Sequence, residues 1–125
     1  MRPRILLADD NASLLAALKR LLQWSYTVVG TVRTGAEARE AVEFLQPDVI
    51  VIDVRLPDID GLEVCQHVRT MGSHAKVVIL TAVDDPKVEQ RAYELGASAF
   101  VHKYRAGEDL MPAIERALVN RDPVV

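Results

Sequence analysis

An uninterrupted run of β-branched residues, followed at once by a carboxylate, restricts what this chain can fold into. Residues 49–52 read Val-Ile-Val-Ile, a pattern typical of a strand that is covered on both faces. Asp53 follows directly, so a carboxylate is expected where that buried strand leaves the sheet. The segment 56–61, Leu-Pro-Asp-Ile-Asp-Gly, then turns the chain, because Pro57 lacks a backbone donor and Gly61 tolerates positive φ. A lone acid in such a place commonly caps the next helix. Whether Asp53 has a function beyond capping therefore depends on which residues follow the other strands.

Four further apolar runs read as strands, and segments with helical spacing separate them. These strands are predicted at residues 4–8, 26–32, 76–80 and 97–102. Helix starts are predicted at the capping residues Asn11 or Asp10, Thr34 with Glu37, and Asp84 or Asp85. The last helix is predicted from about Glu108 to Leu118, with Pro112 early in it and Asp122-Pro123 beyond its end. Short crossovers between apolar strands require a parallel sheet with helices on both faces, so the predicted fold is α/β, with five strands and five helices in three layers.

The size and charge of the chain exclude several classes of function. With 125 residues, half of them hydrophobic, the chain can form one domain with a real core. Its 15 Lys and Arg against 18 Asp and Glu give a net charge of -3 and no basic run, so it is a poor candidate for gripping a nucleic-acid backbone by itself. The apolar run at residues 5–8 is too short for a signal peptide or a membrane span, which predicts a cytoplasmic domain without a membrane partner.

Several isolated residues have a structural interpretation. The single Cys65 excludes an internal disulfide, suits a reducing compartment and is interpreted as a small buried hydrophobe. Trp24 and Tyr26, between the first helix and the second strand, are interpreted as packing residues. No two histidines have metal-pair spacing on a shared helix, so surface or loop positions are expected for His67, His74 and His102.

Polar groups that can do chemistry follow four of the five predicted strands. In chain order they are Asp9 with Asp10, Asp53, Thr81 and Lys103. A parallel sheet brings the carboxyl ends of its strands to one edge, where open α/β sheets bind ligands. Each residue alone could be a helix cap or a solvated side chain, but three acids, a hydroxyl and an ammonium group together predict a functional site.

Three carboxylates at one edge repel one another unless a cation neutralises them. Lys103 could offset one acid but would leave the cluster negative, whereas a site made of carboxylate, carbonyl and water oxygens suits Mg²⁺. A metal ion, Lys103 and the hydroxyl of Thr81 could together neutralise and orient a phosphoryl group. Asp53 would then be the nucleophile, forming an acyl phosphate.

These residues resemble those of the receiver domains of bacterial two-component response regulators. The family's acidic pair, phosphoacceptor, switch hydroxyl and phosphate-binding lysine are similar to Asp9-Asp10, Asp53, Thr81 and Lys103. The segment 56–61 is similar to the family's Pro-x-x-Asp-Gly turn, and the segment 96–103 to its Gly-Ala run into the last strand. The resemblance covers essentially the whole chain.

The resemblance implies a doubly wound, flavodoxin-like sheet with strand order 2-1-3-4-5. It implies that Asp10, Asp53 and the backbone carbonyl of Arg55 hold Mg²⁺, with Asp9 also in the metal site but set further back. It further implies that Thr81 moves inward on phosphorylation and that Phe100, the aromatic switch residue, turns into the vacated space. The face formed by the fourth helix, fifth strand and fifth helix would change as a result.

Two departures from the commonest pattern bear on the branch of the family and on its partners. Tyr104 follows Lys103 where many members have proline, and Arg55-Leu-Pro follows the phosphoacceptor, which resembles the NarL/FixJ-type branch. Members of that branch usually carry a C-terminal helix-turn-helix, so residues 1–125 are interpreted as the receiver domain of a longer transcription regulator whose output domain is absent from this chain. The implied partners are a histidine kinase or phosphotransfer protein, a second copy on phosphorylation, and DNA only through that absent domain. A stand-alone single-domain receiver is the alternative.

Two other functions compete with this interpretation. A haloacid-dehalogenase-like phosphatase also uses an Asp nucleophile, Mg²⁺, a Thr and a Lys, but it would need a general acid at Asn11, two residues after Asp9, and an amide cannot serve. A receiver fold that serves only as a constitutive interaction module is the other rival, and a complete set of site residues argues against it. The favoured interpretation is a switch that is not an enzyme, apart from catalysing its own phosphotransfer and dephosphorylation.

Overall fold

The computed structural model describes residues 2–119. Within that part of the chain the strands are β1 (Arg4–Ala8), β2 (Thr27–Val32), β3 (Val49–Ile52), β4 (Lys76–Thr81) and β5 (Ala99–His102). The helices are α1 (Ala12–Leu22), α2 (Gly35–Leu45), α3 (Gly61–Thr70), α4 (Pro86–Glu94) and α5 (Ala106–Val119), with a short 3-10 turn at Lys103–Arg105. The expected end of the last helix at Asp122-Pro123 lies outside the described residues.

The five strands form one parallel sheet in the order β2-β1-β3-β4-β5, as predicted. Alternate residues of the inner strands enter two separate cores. Ile5, Leu7, Val49 and Val51 belong to the core that includes α1 and α5, whereas neighbouring residues such as Ile50 belong to the core that includes α2, α3 and α4. Because both faces of β3 are covered, its four residues are 2% exposed or less, which explains the lack of a polar residue in the run.

Local sequence signals account for most helix boundaries. Asn11, Thr34 and Asp85 are the N-caps of α1, α2 and α4, and each side chain accepts a hydrogen bond from a backbone N–H of the first turn. Gly96 follows α4 with a φ of 103°, and the N–H of Ala97 closes the helix by donating to a carbonyl of its last turn. That closure delays the start of β5 to Ala99, two residues later than predicted.

Two expectations about the helices were wrong. Helix α5 begins at Ala106 rather than at about Glu108, so Pro112 is the seventh of its 14 residues and does not lie early in the helix. Trp24 is 87% exposed, because it lies in the tight turn after α1, where the N–H groups of Ser25 and Tyr26 both donate to the carbonyl of Leu22. Tyr26, by contrast, is buried as predicted.

Among residues 2–119, the helices are all too short or too polar to cross a membrane.

Cys65 is buried, and its Sγ lies 3.5 Å from the carbonyl oxygen of Leu95. Burial raises the pKa of the Cys65 thiol to about 11, which agrees with its interpretation as a small hydrophobe.

Candidate functional site

The carboxyl ends of β1, β3, β4 and β5 bring the predicted polar groups to one edge of the sheet. Asp9, Asp10 and Asp53 each place a carboxylate oxygen within 4.8 Å of the others. Asp9 and Asp53 are buried, whereas Asp10 is exposed. Thr81, at the end of β4, is fully buried. The acidic cluster that the sequence predicted is therefore present.

Lys103 binds two of the three acids. Its Nζ lies 2.8 Å from Oδ2 of Asp53 and 2.8 Å from Oδ2 of Asp9. Burial alone would lower the pKa of Lys103, but the hydrogen bonds and charges of Asp53 and Asp9 outweigh it and raise the pKa above its ordinary value. The ammonium group is thus held in its charged form between β1 and β3.

Backbone contacts hold Asp53 in place. Its N–H donates to the carbonyl of Ala8 at 3.1 Å, which extends the pairing of β1 with β3 by one residue. The N–H of Arg55 donates to Oδ1 of Asp53 at 3.2 Å, so both carboxylate oxygens have partners. The carboxylate is fixed from the sheet on one side and from the loop on the other.

Gly61 is required at the start of α3 for a reason that the sequence did not reveal. It is not among the positive-φ residues of the described chain, which are Gln46, Gly72 and Gly96. A Cβ on Gly61 would instead lie 2.0 Å from the carbonyl oxygen of Asp53. The backbone of α3 passes directly against the residue that carries the carboxylate, and only glycine permits that approach.

The acidic cluster fits a magnesium ion. One carboxylate oxygen of each acid lies within 4.8 Å of the others, close enough for a single divalent ion to contact more than one of them, and carboxylate oxygens are the ligands that Mg²⁺ prefers. Asp9 Oδ1 already accepts from the N–H of Asn11 and Oδ2 from Lys103, whereas the Asp10 carboxylate accepts no hydrogen bond from residues 2–119. Asp10 is therefore the acid most available to a metal, whereas both carboxylate oxygens of Asp9 and of Asp53 already have partners in the protein.

A cavity of about 300 Å³ opens beside Asp53 and is large enough for a phosphoryl group. It is lined by Asp53, Arg55, Thr81 and Val83 with the acidic segment that precedes α4. The Thr81 hydroxyl accepts a hydrogen bond of 3.2 Å from the N–H of Val83, which leaves its own proton to donate.

Phe100 lies on the α4 side of β5, where it is half-buried. The peptide bond before Tyr104 is trans.

Asp58 ties the loop after Asp53 to α2, a contact that sequence reasoning missed. Its Oδ1 and Oδ2 accept hydrogen bonds from the N–H groups of Gly35 (2.7 Å) and Ala36 (2.9 Å) at the start of α2. Gly35 also makes room for the next residue, since a Cβ there would lie 2.1 Å from Cγ1 of Ile59. The partners are more than twenty residues apart, so no local pattern could have indicated them. This Asp58 clamp places a negative charge at the positive end of α2.

The Asp58 clamp predicts a pH dependence of stability. Hydrogen bonds from Ala36 and Gly35 lower the pKa of Asp58 below its ordinary value of 3.8. The stabilisation is therefore complete above pH 3.8 and is lost as the pH falls through the lower folded-state value. We expect the thermal midpoints of wild type and Asp58→Asn to differ most at neutral pH and to converge as the pH falls below 3.8. A difference that stays constant with pH would contradict an electrostatic role for the clamp.

The site and the fold have many relatives. The family model described as "Response regulator receiver domain" matches residues 5–115. Response regulator MprA of Mycobacterium ulcerans is 35% identical over 121 residues, which are 97% of this chain and 52% of that protein. The chain thus spans about half the length of the curated relatives that it matches.

Solved structures of receiver domains superpose closely on this fold. The signal receiver domain of a Mycobacterium tuberculosis response regulator named NarL is 29% identical with a TM-score of 0.90, over 96% of this chain and 98% of that one. A DNA-binding response regulator of the LuxR family from Staphylococcus aureus is 25% identical with a TM-score of 0.88, over 93% and 98%. The receiver domain of DrrB, solved in a BeF3-activated form, is 29% identical with a TM-score of 0.80, over 96% and 100%.

The matches to NarL and the LuxR family agree with the branch that the sequence resembles. The order of the strands and the acids at their carboxyl ends agree with the family as a whole. The chain belongs to the response regulator receiver domain family and is a receiver domain of a two-component system.

Proposed function

We propose that Asp53 is the phosphoacceptor of this receiver domain and that phosphorylation there switches its output surface. One observation carries the proposal: Lys103 binds the buried Asp53 carboxylate at 2.8 Å, beside an acidic cluster and a cavity of phosphoryl size. A lysine held charged in that position can neutralise charge that develops on a transferred phosphoryl group.

The chemistry follows from the groups around Asp53. A carboxylate oxygen of Asp53 attacks the phosphorus of a phosphohistidine, a P–O bond forms as the P–N bond breaks, and the leaving imidazole takes up a proton. Lys103 and the hydroxyl of Thr81 contact the non-bridging oxygens of the phosphoryl group. Asp10, Asp53 and the carbonyl of Arg55 would hold Mg²⁺, and Asp9 would support them through its contacts with Lys103 and the N–H of Asn11. A bound Mg²⁺ would neutralise charge on the phosphoryl oxygens.

The change in the output surface begins with the loss of one hydrogen bond. When Thr81 turns toward the phosphoryl group it leaves the N–H of Val83, and Phe100 moves into the vacated space. That movement changes the face formed by α4, β5 and α5, where a second copy can bind. The phosphoryl donor is a histidine kinase or a phosphotransfer protein, and the chain catalyses only its own phosphotransfer and dephosphorylation.

An output domain beyond this chain is part of the same proposal. The relatives extend to about twice this length, and the LuxR-family neighbour from Staphylococcus aureus is described as DNA-binding. We propose that a C-terminal helix-turn-helix follows the receiver domain in a cytoplasmic transcription regulator, so that DNA is contacted only by that domain. A phosphatase with Asp9 as nucleophile is not favoured, because its general acid would have to stand two residues later, at Asn11, and an amide cannot serve as an acid.

The proposal is tested by the metal dependence of phosphorylation. We expect the wild-type chain to gain the mass of one phosphoryl group from phosphoramidate when Mg²⁺ is present, because the charges on the acids otherwise repel the donor. With EDTA in place of Mg²⁺, we expect uptake to fall by at least about tenfold. Intact-mass spectrometry measures both. Equal uptake with and without Mg²⁺ would contradict the assignment of the acidic cluster as a metal site.

A further inference from the structure

His102 lies in a row of three rings on β5 and the turn that follows it. The centroids of the Phe100 and His102 rings are 5.6 Å apart in an edge-to-face arrangement, and those of His102 and Tyr104 are 5.3 Å apart in a stack. His102 was expected at the surface or in a loop, but it is half-buried at the end of a strand. The imidazole is thus held between the aromatic switch residue and a tyrosine that is 74% exposed.

The register of the sheet places His102 beside the space that the Phe100 ring would enter when it moves toward Thr81. Thr81 pairs with His102, whereas Phe100 pairs with Ile79, two residues earlier on β4. Residues in register on parallel strands project from the same face, so the space beside Thr81 adjoins His102. A Phe100 ring that moves toward Thr81 must therefore pass or repack against the imidazole.

The imidazole also has an unsatisfied atom. Nδ1 of His102 is buried and accepts or donates no hydrogen bond within the described residues. A buried polar atom without a partner destabilises the arrangement that contains it. The ring contacts therefore favour the present arrangement, while the unsatisfied Nδ1 disfavours it.

We propose that His102 is a positioning residue for the switch, whose imidazole holds Phe100 in the arrangement seen here and sets the free energy of its movement toward Thr81. This inference rests on the proposed function, because it concerns how readily a phosphoryl group at Asp53 drives that movement. A ligand that binds the moved arrangement more tightly gains affinity when the present arrangement is destabilised, and loses affinity when it is stabilised.

The two opposing effects can be separated by two variants. His102→Ala removes the unsatisfied nitrogen together with the ring contacts on both sides; we expect the loss of the two contacts to dominate, so that beryllium fluoride, a phosphoryl mimic, binds about three- to tenfold more tightly. His102→Phe keeps the ring contacts and removes the unsatisfied nitrogen, so we expect binding about threefold weaker or more. Tyr104→Ala is the matched control, since it removes only the outer stack and leaves the contact between His102 and Phe100.

The experiment is a beryllium fluoride titration at saturating Mg²⁺, followed through the NMR amide signals of Thr81 and Phe100. Opposite shifts in affinity for the two His102 variants, with a smaller change for Tyr104→Ala, are the expected result. Affinities that stay within twofold of wild type, or that change in the same direction in both variants, would overturn the inference, because a purely structural role alters stability without opposite effects on binding. If the wild-type chain binds no beryllium fluoride, the proposed function fails first and the inference fails with it.

Discussion

Asp53→Asn is expected to abolish phosphoryl uptake. An amide oxygen is a poor nucleophile and the amide carries no charge, so neither the attack on phosphorus nor the ion pair with Lys103 survives. The variant should remain folded, because asparagine keeps the shape of the side chain and an oxygen that can accept from the N–H of Arg55. Intact-mass spectrometry after incubation with acetyl phosphate or phosphoramidate and Mg²⁺ measures the uptake.

Asp85→Asn is the matched control. It is the same substitution at another acid that lines the cavity, and asparagine is as good an N-cap for α4 as aspartate. We expect the control to take up one phosphoryl group as the wild type does. Full uptake by Asp53→Asn would place the phosphoacceptor elsewhere, and multiple turnover of an aryl phosphate by the wild type would revive the phosphatase alternative.

Gly61→Ala is expected to damage both the fold and the site. The added methyl group would lie 2.0 Å from the carbonyl oxygen of Asp53 and 3.0 Å from Cα of Val54, both of which are backbone atoms that no side-chain rotation can relieve. We expect the free energy of unfolding to fall by at least about 2 kcal/mol, and the thermal midpoint by roughly 8 °C in a domain of this size. Phosphoryl uptake should slow as well, because the displaced backbone belongs to Asp53, the proposed nucleophile.

Gly107→Ala is the comparison for Gly61→Ala. Nothing lies within 4 Å of a Cβ on Gly107, which is in the first turn of α5. There alanine should be neutral or stabilising by up to about 1 kcal/mol, with phosphoryl uptake unchanged. Thermal unfolding followed by circular dichroism measures both variants. A midpoint for Gly61→Ala equal to that of wild type would show that the α3 start can move away from Asp53 at little cost.

The sequence predicted the site because topology alone brings its parts together. Strands that alternate with helices must lie parallel, so Asp9, Asp53 and Thr81 were bound to meet at the carboxyl edge. Capping residues such as Asn11 and Asp85 act within one helical turn, so they too could be read locally. Which acids, carbonyl and side chains hold the metal and the phosphoryl group stays a prediction.

What the sequence missed depends on contacts between distant segments or on the direction of a single side chain. The Asp58 clamp joins residues 23 positions apart, and the approach of Gly61 to Asp53 is set by how α3 leaves its loop. Trp24 was interpreted as a packing residue between the first helix and the second strand, but apolar side chains also occupy exposed turns. The row of rings around His102 has two causes: side chains two positions apart on β5 lie on the same face, and the 3-10 turn after β5 carries Tyr104. Neither feature alone predicts the row.

The Lys103 side chain connects the buried carboxylates of Asp9 and Asp53 with the surface of the molecule. The lysine begins the turn after β5, the outermost strand on its side of the sheet, yet its ammonium group extends past β4 to the acids that follow β3 and β1. The adjoining residue, Tyr104, is largely in solvent. A change of charge on Asp53 therefore changes the electrostatic force on Lys103, the residue directly before a surface side chain. The length of one lysine side chain is enough to connect the buried carboxylate with the molecular surface.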